Sequence, residues 1–231
     1  MTSPAVISAV RSIASRAVAC RACFDLGEVK PTQIAIAQPR WVGPKYWSSR
    51  PRIAVVLLNP GSGAFRGDSA DAKMYKLLQD FAAQGGTLRA IFAHQATDMP
   101  NWGAGKFTAF YFNGLGLSVS EVAFANIAWC ATRGNKYPAS MLNRCFERHT
   151  LPLLRALCPD VVLLSGSSAH GFRPAIERGL PQATVIPMLH YAHRGGSNVD
   201  NAEFVRIRAI IGSVVQQAVQ ADGPASDGSA A

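Results

Sequence analysis

The sequence predicts an α/β fold, namely a single-domain three-layer α/β/α sandwich around a mainly parallel sheet of four strands. The first observation is that four short apolar runs with the composition of strands alternate with helical patterns along the chain, which is typical of parallel sheets covered on both faces. The second is the length of 231 residues, which suits one such domain. The third is the content of 48% hydrophobic residues, which is sufficient to bury a core between the layers.

The first half of the chain predicts a helix, an irregular segment, a strand and a second helix. Residues 4–19 place their apolar side chains on one helical face, whereas residues 24–51 are rich in Pro, Gly and Trp and are expected to be irregular. Arg52–Leu58 has the composition of a buried strand, and Asn59–Gly61 is a turn signal that ends it. A helix is then expected from Ala70 to about Ala83.

The second half repeats the alternation after residues 93–118, which predict no element. In chain order we expect a strand at Glu121–Trp129, a helix from Pro138 or Ala139 to Leu157, a strand at Asp160–Leu164, a short helix after Ser167, a strand at Thr184–Met188, a loop at 190–197 and an amphipathic helix at 202–219. The domain is expected to span residues 1–220, and residues 221–231 have the composition of a disordered tail. In such sheets the functional residues lie beyond the carboxyl ends of the strands. A functional site is therefore expected in the loops that follow the four strands.

The charge of the chain favours an anionic partner. The formal net charge is +9 and the pI is near 9.7, a balance that favours nucleic acid without establishing it. No apolar run approaches the roughly 20 residues of a transmembrane helix, and Arg11 and Arg16 interrupt the stretch in which a signal peptide would need an uncharged core. We therefore expect a cytoplasmic monomer with no membrane partner, whose five cysteines do not form structural disulfides.

Four of the five cysteines are candidate metal ligands. Cys20 and Cys23 form a C-x2-C pair, and Cys130 and Cys145 are separated by fourteen residues. Four thiolates around a compact site suit either a tetrahedral zinc ion or a 4Fe–4S cluster, and the spacing alone does not choose between them. The alternative is that some of them are free buried cysteines, which are common in cores. Cys158, between Leu157 and Pro159, is interpreted as a core residue.

Residues 126–166 resemble the iron–sulfur-containing uracil-DNA glycosylases of bacteria and archaea. The shared pattern is a strand with an Asn that leads into a Cys, then an Arg, a Gly-Asn pair and a Pro, a second Cys at the start of a helix, and P-x-x-L-x-x-x-x-P before an apolar strand that ends in Gly. Cys20-Arg-Ala-Cys23 matches the N-terminal cysteine pair of the same group. The resemblance implies a uracil-DNA glycosylase-like fold and a 4Fe–4S cluster held by Cys20, Cys23, Cys130 and Cys145, with zinc as the alternative.

The first active-site motif departs from the cluster-bearing group. That group has a Gly-Glu-Ala-Pro-Gly type of motif, whereas Asn59-Pro60-Gly61 is similar to the version in the mismatch-specific and single-strand-selective branches. Asn59 occupies the place of the water-activating Asp of the best-known branch. The second motif, residues 190–196, resembles the loop that enters the minor groove, with Tyr191 where Pro is common. The chain therefore combines features of two branches.

The resemblance implies an enzyme that binds uracil-containing DNA, flips the uracil out and hydrolyses its N-glycosidic bond to leave an abasic site. Asn126 would donate to uracil O4 and accept from N3–H, His190 would donate to O2, and Asn59 would hold the attacking water, with His193 as a rival for the role of His190. Further substrate contacts are expected from Leu58, Gly61, Ser62, Phe65 and Tyr75, and DNA contacts from Ser167, His193 and Arg194.

Three alternatives remain open at this point. The first is a catalytically weak damaged-DNA-binding protein of the same fold, because a carboxamide at Asn59 takes up no proton near neutral pH. The second is a glycosylase for another deaminated base, hypoxanthine or xanthine. The third is a zinc-stabilised nucleic-acid-binding protein without a base pocket.

Overall fold

The structure is a computed structural model that describes residues 4–61 and 66–221, and its centre is a sheet of four parallel strands in the order β2-β1-β3-β4. The strands are β1 (Ile53–Leu57), β2 (Val122–Asn126), β3 (Val161–Ser165) and β4 (Thr184–Met188). Helices cover both faces of the sheet, so the predicted three-layer α/β/α architecture is confirmed.

The predicted helices are present, but the helices Leu88–Asp98 and Lys106–Thr108 and two π-helical segments were not predicted. Lys106–Thr108 continues directly into a π-helix at Ala109–Gly114, and a second π-helix, Phe146–Thr150, joins two α-helices. The α-helices are α1 (Pro4–Val18), α2 (Ala22–Asp25), α3 (Ala70–Ala82), α4 (Leu88–Asp98), α5 (Lys106–Thr108), α6 (Ala139–Cys145), α7 (Leu151–Leu157), α8 (Ser167–His170), α9 (Arg173–Gly179) and α10 (Gly196–Ala221).

Three of the predicted boundaries were wrong. β2 ends at Asn126 and not at Trp129, because two successive amides, those of Ile127 and Ala128, bond to the successive carbonyls of Leu57 and Leu58, and the alternation of a ladder is lost. Helix α10 begins at Gly196, inside the predicted loop. The prediction missed this start because the first turns of the helix are largely polar and carry no apolar period. It also includes Ala221, the first residue of the predicted tail, and the remainder of that tail lies outside the described residues.

The two faces of the sheet bury separate cores, as the period of two along a strand requires. Val56 of β1 faces a core that includes residues of α1, α7 and α9, whereas its neighbours Val55 and Leu57 face a core that includes Phe107 of α5 and Ile207 of α10. A third cluster joins α1 to α3 and α4. Among the described residues, no helix combines the length and the apolar character that a membrane span requires.

Residues 38–45, here called the edge segment, run antiparallel along the outer edge of β2 and β2's continuation. The amide of Gln38 donates to the Trp129 carbonyl at 2.7 Å, and that of Phe124 donates to the Trp41 carbonyl at 2.8 Å. At Gly43 the backbones of the edge segment and of residues 120–121 approach so closely that a Cβ atom would overlap the Ser120 carbonyl. The edge segment therefore covers a strand edge that would otherwise present unpaired backbone groups.

We expect Gly43→Ala to destabilise the protein by about 1–3 kcal/mol, because the added methyl group must push two backbones apart. The new Cβ would also lie 2.9 Å from the amide nitrogen of Glu121, which is backbone and cannot rotate away. The matched control is Gly212→Ala in α10, where the space around the Cβ is open. That change should stabilise the helix by about 0.5–1 kcal/mol. Urea denaturation of both variants measures the difference, and equal effects would contradict the close approach at Gly43.

Candidate functional site

A cavity of about 410 Å³ opens at the carboxyl edge of the sheet, beside the ends of β1 and β2. Leu57, the last residue of β1, pairs in register with Asn126, the last residue of β2. Three of the predicted site residues, Asn59, Gly61 and Asn126, line this cavity. Its volume lies within the range of about 300–1,000 Å³ that is usual for small-molecule pockets.

The Asn59 amide is held by the loop between two of the cysteines. Its Nδ2 donates to Oδ1 of Asn135 at 3.1 Å and to the Pro60 carbonyl at 3.3 Å. Asn135 lies in a short 3-10 turn, Arg133–Asn135, and has a positive φ of 54°. The side chain at position 59 is therefore oriented from outside its own turn, and as a carboxamide it can position a water molecule without deprotonating it.

The Asn126 side chain is 2% exposed and makes two internal hydrogen bonds. The partners assign the orientation of the amide: Nε of Arg40 can only donate, so the atom 2.9 Å from it is taken as Oδ1, and Nδ2 then donates to the Ala125 carbonyl at 3.1 Å. The backbone carbonyl of Asn126 accepts from the Thr150 hydroxyl at 2.6 Å. Both the strand end and the amide plane are therefore fixed before any ligand binds.

Aromatic side chains form much of the cavity wall, and none of them was predicted to do so. Tyr75, the predicted stacking residue, packs with the cluster of α1, α3 and α4, while its neighbour Met74 lines the cavity. Ser62 and Phe65, two other predicted substrate contacts, lie outside the described residues. The aromatic residues that line the cavity are Trp102, Phe107, Phe124 and Tyr191.

Seven polar or charged residues of the wall were missed by the sequence reasoning. They are Gln38, Arg40, Asp71, His94, Gln95, Asp98 and Asn101. The Arg40 guanidinium lies 5.1 Å from the centroid of the Trp102 ring. Within the described residues, Nε2 of Gln38 and Oε1 of Gln95 are buried and have no hydrogen-bond partner. A donor and an acceptor thus remain available at the cavity, and leaving such groups unpaired costs free energy unless a ligand or water satisfies them.

His190 follows β4 and lies next to the cavity without lining it, since Tyr191 forms the wall there. The two rings are tilted, with centroids 4.3 Å apart. Nδ1 of His190 accepts from the Ala192 amide at 3.2 Å, so the proton of the neutral ring resides on Nε2. Burial, with a smaller contribution from His193, lowers the pKa of His190 and favours this neutral form.

The predicted DNA contacts lie at the same edge, outside the cavity. Both ring nitrogens of His193 are engaged, because Nδ1 accepts from the Gly195 amide at 2.8 Å and Nε2 bonds to the Asp200 carboxylate. Arg194 and Ser167 are exposed. Leu58 points away from the cavity: its side chain packs against the core on the other face of the sheet.

Four cysteines from three parts of the chain line a second, buried cavity. Cys20 and Cys23 flank the start of α2, Cys130 follows β2, and Cys145 ends α6. All five cysteines of the chain are free thiols, and Cys158 lies apart at the C-terminal end of α7. The structure thus brings together the four predicted ligands.

Hydrogen-bond donors face two of these four thiols. Burial and the neighbouring thiols raise the pKa of Cys130, while burial raises the pKa of Cys145 to about 12. The Trp129 amide donates to Sγ of Cys145 at 3.2 Å, and Nη1 of Arg144 donates to Sγ of Cys23 at 3.5 Å. Hydrogen bonds of this kind are usual around the sulfur ligands of metal centres.

His149 lines the same cavity and is 5% exposed. Neither of its ring nitrogens has a partner in residues 4–61 and 66–221, and burial lowers its pKa to about 4, so the ring is neutral. Among those residues, no three His, Cys, Asp or Glu side chains lie close enough together, as the thiols now stand, to hold a metal ion. The four thiols are of the type that binds zinc or a 4Fe–4S cluster, but the cavity between them measures about 10 Å³, so a bound cluster would require the thiols to move apart.

Comparisons with known proteins add no assignment to this geometry. No protein-family model matches the chain, and no curated protein matches it significantly. The residues of the two cavities are therefore the basis on which a function is proposed.

Proposed function

We propose that the protein is a monofunctional DNA glycosylase of the uracil-DNA glycosylase superfamily, which flips uracil out of DNA and hydrolyses its N-glycosidic bond. The observation that carries the proposal is the meeting of Asn59 and Asn126 in one cavity at the ends of adjacent parallel strands. A pocket that combines aromatic walls with a few oriented amides suits a flat, neutral heterocycle.

The proposed role of Asn126 is to read the base. After its bonds to Arg40 and the Ala125 carbonyl, the amide retains one oxygen lone pair and one N–H. These match the N3–H donor and the O4 acceptor of uracil. Cytosine presents the opposite pattern at both atoms and would meet a donor with a donor.

The proposed hydrolysis uses positioned neutral groups. The C1′–N1 bond breaks with its electron pair on the base, the oxygen of a water held by Asn59 bonds to C1′, and the proton released from the water ends on the base. The Nε2–H of His190 would stabilise the negative charge that develops on O2, and donors of this type contribute electrostatically because they are already oriented. Tyr191 forms the cavity wall at this point, so the contact requires the His190 side chain to move toward the cavity.

Exposed basic residues support DNA as the substrate. Arg133 belongs to the turn that holds Asn59, Lys136 follows that turn, and Arg194 lies on the loop after β4. With a net charge of +9, these side chains suit the phosphates on either side of a flipped nucleotide.

We further propose that Cys20, Cys23, Cys130 and Cys145 hold a 4Fe–4S cluster. The four thiols around one cavity and the donors directed at two of them support this proposal, and zinc is the alternative. When bound, the cluster would supply structural cross-links among α2, the segment after β2 and α6. It takes no part in the hydrolysis as proposed.

Release of uracil from a labelled oligonucleotide tests the function. We expect the wild-type protein to release uracil from single strands or opposite guanine. Asn126→Ala and His190→Ala should lower the single-turnover rate by about 10²–10³-fold, as loss of an oriented donor does elsewhere. Asn143→Ala, an exposed position on α6, is the matched control and should leave the rate unchanged. Binding of the oligonucleotide without release of uracil would contradict the proposal and favour a damaged-DNA-binding protein or a different base.

Asn59→Asp should accelerate the reaction by about tenfold or more, because a carboxylate can accept the proton of the attacking water and general bases contribute about 10²–10⁴-fold. The carboxylate loses the N–H that now bonds to Asn135, but the Asn135 amide can rotate to donate instead. Asn59→Ala, which removes both functions, should slow the reaction. Equal rates for the Asp variant, the Ala variant and the wild type would show that Asn59 does not position the water.

The metal content of the protein purified without oxygen tests the cluster. We expect bound iron and sulfide, with a broad absorbance near ~400 nm that is characteristic of iron–sulfur proteins. Cys145→Ser should lose both, whereas Cys158→Ser, outside the cavity, should retain them. A colourless protein with stoichiometric zinc would contradict the cluster and support a zinc site at the same four cysteines.

A further inference from the structure

Arg40 is held rigidly against the amide that is proposed to read the base. The carbonyl before it, of Pro39, accepts from Nε2 of Gln95 at 2.6 Å. The carbonyl after it, of Trp41, accepts from the Phe124 amide at 2.8 Å. With the backbone anchored on both sides, the guanidinium lies over the Trp102 ring. Its Nε lies 2.9 Å from the end of the Asn126 amide, and the amide oxygen is assigned to that side because Nε can only donate.

The two partners of this hydrogen bond differ in what they can offer. A guanidinium has only donors and stays protonated, whereas a carboxamide can present either its oxygen or its nitrogen by rotating through a half turn. Burial lowers the pKa of Arg40 to about 10, which still leaves the group charged at neutral pH. Among the described residues Arg40 forms no ion pair within 4 Å, although the Asp71 carboxylate acts on it electrostatically, and its side chain hydrogen-bonds to the Asn126 oxygen.

The orientation of the Asn126 amide decides which base it can read. With Oδ1 toward Arg40, the free lone pair and the free N–H complement uracil. Rotation of the amide would exchange the two groups and complement cytosine. It would also place the NH2 group against the Arg40 N–H, with two buried donors facing each other.

We propose that Arg40 is a specificity-determining positioning residue that locks the Asn126 amide in the orientation that complements uracil and excludes cytosine. This inference rests on the proposed role of Asn126 in binding the base. It assigns the rejection of cytosine to two residues from different segments, since the amide alone could satisfy either base by rotating. The Arg40 side chain acts through Asn126 and need not touch the base.

Two variants at this position separate the lock from mere packing. Arg40→Gln places an amide nitrogen or oxygen at the position of Nε, so it can pair with either orientation of Asn126. Arg40→Lys keeps a cation that can only donate, with its ammonium one bond beyond the position of Nε and within reach of the same amide oxygen. Arg173→Gln is the control, because Arg173 is exposed in an i,i+4 pair with Glu177 and lies outside the cavity.

The readout is the binding of oligonucleotides that carry 2′-fluoro-2′-deoxyuridine or 2′-fluoro-2′-deoxycytidine, which resist hydrolysis and report on base recognition alone. Fluorescence anisotropy gives the ratio of the two affinities for each protein. We expect the wild type, Arg40→Lys and Arg173→Gln to prefer the uracil analogue by about tenfold or more, as a mismatched base contact usually costs. Arg40→Gln should lose most of this preference, mainly by binding the cytosine analogue more tightly.

Each contrary result has a distinct meaning. An unchanged preference in Arg40→Gln, or equal losses in Arg40→Gln and Arg40→Lys, would overturn the lock. A wild-type protein without preference would overturn it as well. A wild-type protein that prefers the uracil analogue but releases no uracil from the hydrolysable substrate would contradict the proposed glycosylase activity and leave the recognition by Arg40 and Asn126 supported.

Discussion

The in-register pairing of β1 with β2 is the constraint on which the rest of the candidate site depends. It places Leu57 opposite Asn126, so the turn after one strand and the last side chain of the other meet at one edge. Register is strongly specified here because each strand is buried on both faces, and a slip of one residue would exchange the two faces. Phe124 and Asn126 share a face of β2, so such a slip would turn both away from the cavity.

The edge segment adds what the sheet alone cannot supply. The four strands present their carboxyl ends to the cavity, but the contact to Asn126 comes from Arg40, on a segment with no regular structure of its own. Hydrogen bonds to β2 and to Gln95 replace the internal bonds of a helix or strand. The rigidity of this wall is therefore tertiary in origin, and it depends on the close approach at Gly43.

The sequence predicted those parts of the site that local patterns encode. The apolar run before Asn59 and the run that contains Asn126 indicated strands, and the parallel sheet then required their ends to meet. Arg40 and Gln38 carried no such signal, because their segment has no apolar period and its partners lie more than fifty residues away in the sequence. The start of α10 was missed for a related reason: a polar first turn has no period to detect. The position of Tyr191 in the wall, in place of His190, depends on how one loop packs.

The cysteine cavity and the proposed hydrolytic site are joined by one short loop. Residues 130–145 begin and end at a cysteine, and Asn135, between them, accepts the hydrogen bond that orients Asn59. Burial and the neighbouring thiols raise the pKa values of these cysteines. A positively charged metal group would offset this effect and stabilise the thiolates that bind it. A group bound there would therefore fix both ends of the loop at once. The turn at 133–135, which includes two residues with positive φ, would then be held in the conformation that reaches Asn59. A cluster at the four cysteines would therefore contribute to the proposed hydrolysis by orienting the Asn59 amide, without exchanging an electron or a proton with the substrate.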